Sequence, residues 1–210
     1  MKLEVPVIGI LRGVDGCFFG EVMAVSFAAG LTAIEITMNT VDAEEIVRRC
    51  RPAVPDGKLL GMGTIRNLEE ARRAVAAGAM FLVTPNLDLE VITYARAEDI
   101  PIIAGALTPT EVYAAWVAGA SLVKVFPCGA MGGPDYIRAL RGPFDQIPLA
   151  AVGGLSLANL AEYFAAGTAA VGVSSTLFGG NALRGKNLDQ IGENVKKFIE
   201  GTLHVLRSVD

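Results

Sequence analysis

Histidine occurs once in the chain, as His204, and cysteine three times, at Cys17, Cys50 and Cys128. A single imidazole excludes an HExxH helix and any multi-histidine metal centre, since each needs two or more ring nitrogens at fixed spacing. His204 falls in the last helical pattern, far from every other notable residue, and reads as a surface or packing residue. The cysteines are odd in number, far apart and without a CxxC spacing, which fits neither a disulfide framework nor a zinc knuckle. A reducing compartment suits them. Long apolar runs are missing too: each meets a charge, glycine or proline within about ten residues, too soon to cross a bilayer. Basic clusters are equally scarce. With 18 Lys and Arg against 22 Asp and Glu, and a formal net charge of −4, the chain offers no electrostatic footprint for nucleic acid. The Lys196 and Lys197 pair reads as a solvated helix face. Met1 to Glu4 run straight into a strand-like segment without the form of a signal peptide. A cytoplasmic protein is expected.

What the chain has in quantity is apolar residues, at 52%, and glycine, at 24 positions. That supports one well-filled core with many tight turns, so a single domain over residues 1–210 is expected. Short β-rich runs alternate with helical patterns from end to end. The strand candidates are Val5 to Leu11, Ala33 to Thr37, Lys58 to Gly63, Met80 to Pro85, Ile100 to Ala106, Leu122 to Pro127, Pro148 to Gly154 and Ala170 to Thr176. Each is followed by a helical pattern, the last running from Asn187 to Ser208. Asp88, Thr108 before Pro109, and Ser156 are candidate helix N-caps. Four helices end on AAG or VAG, at Gly30, Gly78, Gly119 and Gly167, about two βα units apart. Unbroken βα alternation requires a parallel sheet covered by helices. Eight units with a regular repeat predict a closed (β/α)8 TIM barrel of the α/β class rather than an open doubly wound sheet.

In such a barrel catalysis sits at the C-terminal ends of the strands, so charged residues there come first. They are Arg12, Glu35 and Lys124. The segment from Leu122 to Phe126 surrounds the Lys124 ammonium with apolar neighbours, and burying that charge costs several kcal/mol unless it is paired or neutralised. A lysine there gains a depressed pKa and becomes an amine nucleophile. The bland alternative is a structural ion pair between Lys124 and Glu35. Strand parity turns Ile34 and Ile36 to the helices and Glu35 and Thr37 to the barrel, placing a carboxylate where it can shuttle protons. Gly153 and Gly154 after the seventh strand, with Gly172, Ser174 and Ser175 at the eighth, suggest a phosphate site of glycine-exposed amides and hydroxyls. A glycine pair alone also serves ordinary turns. Thr64 and the Thr84-Pro85-Asn86 turn end the third and fourth strands, and either orient a substrate carboxylate or merely cap helices.

These segments, IEITMNT around Glu35, GMGTI around Thr64, VTPN around Pro85, VKVFP around Lys124, then AVGG and VGVSS, resemble the 2-keto-3-deoxy-6-phosphogluconate and 4-hydroxy-2-oxoglutarate aldolase family. The likeness covers essentially the whole chain. It implies a cofactor-free, metal-free class I aldolase, a lyase of carbohydrate metabolism of the Entner-Doudoroff type, and a homotrimer. Lys124 then resembles the Schiff-base lysine and Glu35 the proton shuttle. Thr64 would touch the pyruvate carboxylate, Pro85 would join the substrate-binding set, and Gly153, Gly154 and Ser174 or Ser175 would hold phosphate. Arg12 would stand near the substrate's distal end. Asn39 and Val152 stand where the phosphogluconate-type enzyme has Arg and Thr, and the N-terminal helix of many members is missing. These features resemble the 2-keto-3-deoxy-6-phosphogalactonate branch, leaving the C4 epimer open. The competing readings are an isomerase or epimerase on a phosphate-binding barrel, and a non-catalytic phospholigand-binding barrel. Both leave a buried Lys124 without a use.

Overall fold

Apolar runs interrupted by glycine or proline form eight parallel strands: β1 (Val7–Leu11), β2 (Ala33–Thr37), β3 (Leu59–Gly63), β4 (Leu82–Val83), β5 (Ile102–Ala106), β6 (Leu122–Val125), β7 (Leu149–Val152) and β8 (Ala170–Val173). In this computed structural model, which describes residues 3–209, they pair in sequence order and close, β8 on β1, into a barrel. The start at Met1 and Lys2 lies outside the described residues. Helices α1 (Gly16–Ala28), α2 (Ala43–Cys50), α3 (Leu68–Ala77), α4 (Leu89–Ala97), α5 (Pro109–Ala118), α6 (Pro134–Arg141) and α7 (Leu160–Ala165) follow the first seven strands. After β8 come α8 (Ser175–Phe178), α9 (Gly180–Arg184) and α10 (Leu188–Val209), the last packed across α1 and α7.

Both faces of each strand are buried, so the polarity of the strands does not alternate, but their packing does. Ile34 and Ile36 join the outer core beneath the helices, while Ala33 joins an inner cluster with Ile8, Phe81, Ile103, Leu122 and Ala150. This layer fills the lower barrel. Phe81 occupies much of it because Gly61 faces it, where a Cβ would lie 2.4 Å from the ring. The expected repeat is present: Gly30, Gly78, Gly119 and Gly167 all have left-handed φ, between +89° and +102°, at the turn from helix to the next strand.

Three expectations need correction. The eighth strand stops at Val173, and Ser175 begins α8. β4 is two residues rather than six, although the Thr84 amide still donates to the Ile103 carbonyl of β5; the Thr84 hydroxyl accepts from the Gly105 amide and donates to the Asn86 carbonyl. Ser156 does not cap α7; Asn159 stands at that position. Asp88 and Thr108 do cap α4 and α5, the latter in a capping box with Glu111.

Candidate active site

The layer above the hydrophobic plug is where the barrel turns polar. Register places Glu35 between Ile10 and Gly61, and Lys124 between Gly105 and Ala150. Both long side chains are thereby held in the barrel above the plug. Gly63 is part of the same fit: a Cβ there would lie 2.2 Å from Glu35 Oε1. Gly105 has the same duty toward the β4 loop, where its Cβ would lie 2.4 Å from the Pro85 carbonyl carbon.

Glu35 is 2% exposed and Lys124 6%. Burial pushes the Glu35 carboxyl up from 4.5 to about 7, against the pull of Lys124 and Arg12. Burial likewise lowers the Lys124 ammonium from its ordinary value, opposed by Glu35 and assisted by Arg12. Each group is thus driven toward its neutral form by desolvation, and each restrains the other. Among the described residues Lys124 forms no ion pair, and Glu35 Oε2 is buried without a hydrogen-bond partner. The structural ion pair weighed from sequence is therefore not the arrangement. The Lys124 Nζ instead lies 4.9 Å from the centroid of the Phe126 ring.

A cavity of about 430 Å³ opens onto both groups. Its lining includes Arg12, Thr64 and Pro85 from the first, third and fourth strand ends, and Val152, Gly153, Gly154, Ser174 and Ser175 from the seventh and eighth. Arg12 Nη2 donates to Thr64 Oγ1 at 3.3 Å. Thr64 itself has φ +59°, a left-handed conformation that a β-branched residue adopts at a cost of roughly 1–3 kcal/mol. Strain of that kind persists where a side chain must be aimed, here into the cavity. Gly153 and Gly154 have φ +95° and +83°. The backbone of this turn is open to the cavity without a side chain in the way.

Of the residues expected from sequence, Asn39 is not brought to the cavity, and of the Thr84-Pro85-Asn86 turn only Pro85 lines it. Asn39 is exposed on the β2α2 turn and does not line the cavity. Sequence reasoning passed over Ile10, Phe126, Leu155, Ser156 and Thr176, all of which line it. Parity could have found Ile10 and Phe126, two residues from Arg12 and Lys124 on the same inward face. Thr176 was hidden by an eighth strand drawn too long.

A family model described as KDPG and KHG aldolase matches residues 3–194. The chain belongs to the KDPG and KHG aldolase family. A probable 2-dehydro-3-deoxy-6-phosphogalactonate aldolase from Rhizobium meliloti (strain 1021) is 36% identical over 84% of this chain and 83% of its own. The structure of native KDPGal aligns with a TM-score of 0.90 at 31% identity, over 99% of this chain and 98% of that one. KDPG aldolase from Legionella pneumophila, with pyruvate captured at low pH as a covalent carbinolamine intermediate, aligns with a TM-score of 0.85 at 27% identity, over 92% and 94%. The family thus includes a barrel of this shape caught in covalent union with pyruvate.

Proposed function

We propose that the chain is a class I aldolase that cleaves a 2-keto-3-deoxy-6-phospho sugar acid to pyruvate and glyceraldehyde 3-phosphate. The observation that carries this reading is a buried lysine, without an ion-pair partner among the described residues, sharing one cavity with a buried carboxyl raised to about 7. Neutral Lys124 attacks the C2 carbonyl, and the carbinolamine takes a proton from the Glu35 carboxyl on its hydroxyl and loses water to give the iminium, leaving Glu35 as the carboxylate. Glu35 takes the proton of the C4 hydroxyl as the C3–C4 bond breaks. Glyceraldehyde 3-phosphate leaves, and the bonding pair passes into the iminium as an enamine. Protonation at C3 and hydrolysis of the imine release pyruvate and regenerate the amine. A carboxyl titrating near neutrality suits a group that both takes and returns a proton.

Arg12 is read at the carboxylate end rather than the distal end, because its guanidinium contacts the Thr64 hydroxyl. It supplies there a cation that Asn39, exposed outside the cavity, does not. The turn at Gly153 and Gly154, with Ser174 and Ser175, is read as the phosphate end. Val152, whose side chain offers no hydrogen bond, lies between the two ends, so selection at C4 rests on shape; both epimers and 4-hydroxy-2-oxoglutarate are candidate substrates. An isomerase or a non-catalytic binder would leave Lys124 buried at a cost and unused.

The chain is further read as one domain over residues 1–210 and as a cytoplasmic homotrimer. No described helix is long and apolar enough to cross a membrane. Exposed Tyr113, Trp116 and Val117 on α5 form an apolar face suited to a subunit contact, and light scattering should return the mass of three chains. The activity itself is tested with each pure epimer. Pyruvate and glyceraldehyde 3-phosphate should appear in equal amounts from at least one; folded protein releasing pyruvate from neither would overturn the reading.

A further inference from the structure

We infer that Asn159, with Thr176, is a positioning residue that locks the peptide planes of the phosphate turn so that its amides, not its carbonyls, face the substrate. The inference rests on the phosphate reading of that turn. In a trans peptide the C=O and the following N–H point in opposite directions, so fixing one aims the other. The Gly153 carbonyl accepts from the Gly129 amide at 2.9 Å. The Gly154 carbonyl accepts from Asn159 Nδ2 at 2.9 Å, and the Leu155 carbonyl from Thr176 Oγ1 at 2.9 Å. Three successive carbonyl oxygens are thereby engaged by donors. Asn159 Oδ1 closes the loop by accepting from the Ser156 amide at 2.8 Å.

The amides of Gly154 and Leu155, opposite the first two of those carbonyls, find no acceptor among the described residues, and both residues line the cavity. Gly154 has φ +83° and no side chain, so its flanking peptide planes can rotate with little steric opposition. A rotated plane would present a carbonyl oxygen to an anion and reverse the sign of the cradle. Asn159 has the means to prevent this because it does not cap its own helix: its side chain makes no capping bond to α7 and is spent on the turn.

The test compares 2-keto-3-deoxy-6-phosphogalactonate with unphosphorylated 4-hydroxy-2-oxoglutarate, using inorganic phosphate as a competing probe. For Asn159→Ala, KM for the phosphorylated substrate and the inhibition constant of phosphate should both rise about tenfold, with kcat within a factor of about two. The ratio of kcat/KM between the two substrates should fall by the same factor. Asn159→Asp should not restore it: Asp caps helices as well as Asn and can accept from Ser156, but it cannot donate to the Gly154 carbonyl. Thr176→Val, which keeps the shape and removes one donor, should move the ratio the same way by less, and serves if Asn159→Ala does not fold. Equal losses on both substrates, or recovery of the wild-type ratio with Asp, would overturn the assignment. A wild-type protein that neither prefers the phosphorylated substrate nor is inhibited by phosphate would remove the phosphate reading beneath it.

Discussion

Around Lys124 and Glu35 the cavity wall is made of side chains left without partners; around Gly153 and Gly154 it is made of backbone held by partners. At the first end Glu35 Oε2 is orphaned, Lys124 forms no ion pair among the described residues, and Gly63 keeps open the space that the Glu35 carboxylate fills. At the second, three carbonyls in a row are satisfied by Gly129, Asn159 and Thr176. Reactivity comes from withholding solvation, which pushes a carboxyl and an ammonium toward neutrality. Anion recognition comes from supplying hydrogen bonds, which fix dipoles in advance. One end should therefore control turnover and the other binding.

The largest effect is expected at the reacting end. Glu35→Gln keeps the size of the side chain and removes its proton chemistry, so kcat should fall at least about a hundredfold while a slower imine still forms. Unchanged turnover in steady-state assays would remove Glu35 as the shuttle, and a change confined to KM would break the division between the ends.

Gly63→Ala should come next, lowering kcat roughly tenfold or more although no reacting group is altered. Its Cβ would lie 2.2 Å from Glu35 Oε1 and must displace the carboxylate. Wild-type kcat in this variant would show that the placement of Glu35 is not critical.

The pH dependence sharpens the same contrast. Cleavage needs the Glu35 carboxylate, so kcat/KM should rise with pH through an apparent pKa near the value of about 7, and Glu35→Gln should lose that limb. The stability effect has the opposite sign. A carboxyl raised from 4.5 to about 7 binds its proton more tightly in the folded state than in the unfolded chain. Stability should fall as pH rises across that window and level off above it. Melting curves of wild type and Glu35→Gln should differ in slope there; parallel curves would contradict the raised value.

The smallest effect is expected between the ends, at Val152. Apolar walls separate ligands by only about 10- to 200-fold, so the wild type should cleave the phosphogalactonate epimer appreciably and discriminate weakly. Val152→Thr should shift the kcat/KM ratio toward the phosphogluconate epimer. An unchanged ratio would place selectivity elsewhere and leave the Schiff-base chemistry intact.

Much of this contrast was legible from sequence at the reacting end and little at the phosphate end. Lys124 and Glu35 are charges inside apolar strands, and a burial penalty of several kcal/mol makes such residues stand out. The barrel was legible because each strand sits between helical patterns and four helices end on the same glycine phrase. Asn159 was not legible, because its task is a pair of hydrogen bonds to a turn whose shape depends on two left-handed glycines. Ser156 looked the better cap until the loop was seen to use Asn159. Asn39 was placed by its neighbours in the motif, yet the turn after β2 carries it away from the cavity.

The most direct measurement is borohydride reduction in the presence of pyruvate, followed by peptide mapping. Only a neutral amine beside the carbonyl forms the imine that borohydride fixes, so one covalent adduct is expected, on Lys124. Six lysines are available in the chain, and the other five act as internal controls. An adduct on any of those instead, or no adduct from folded protein, would contradict the assignment of Lys124 as the nucleophile.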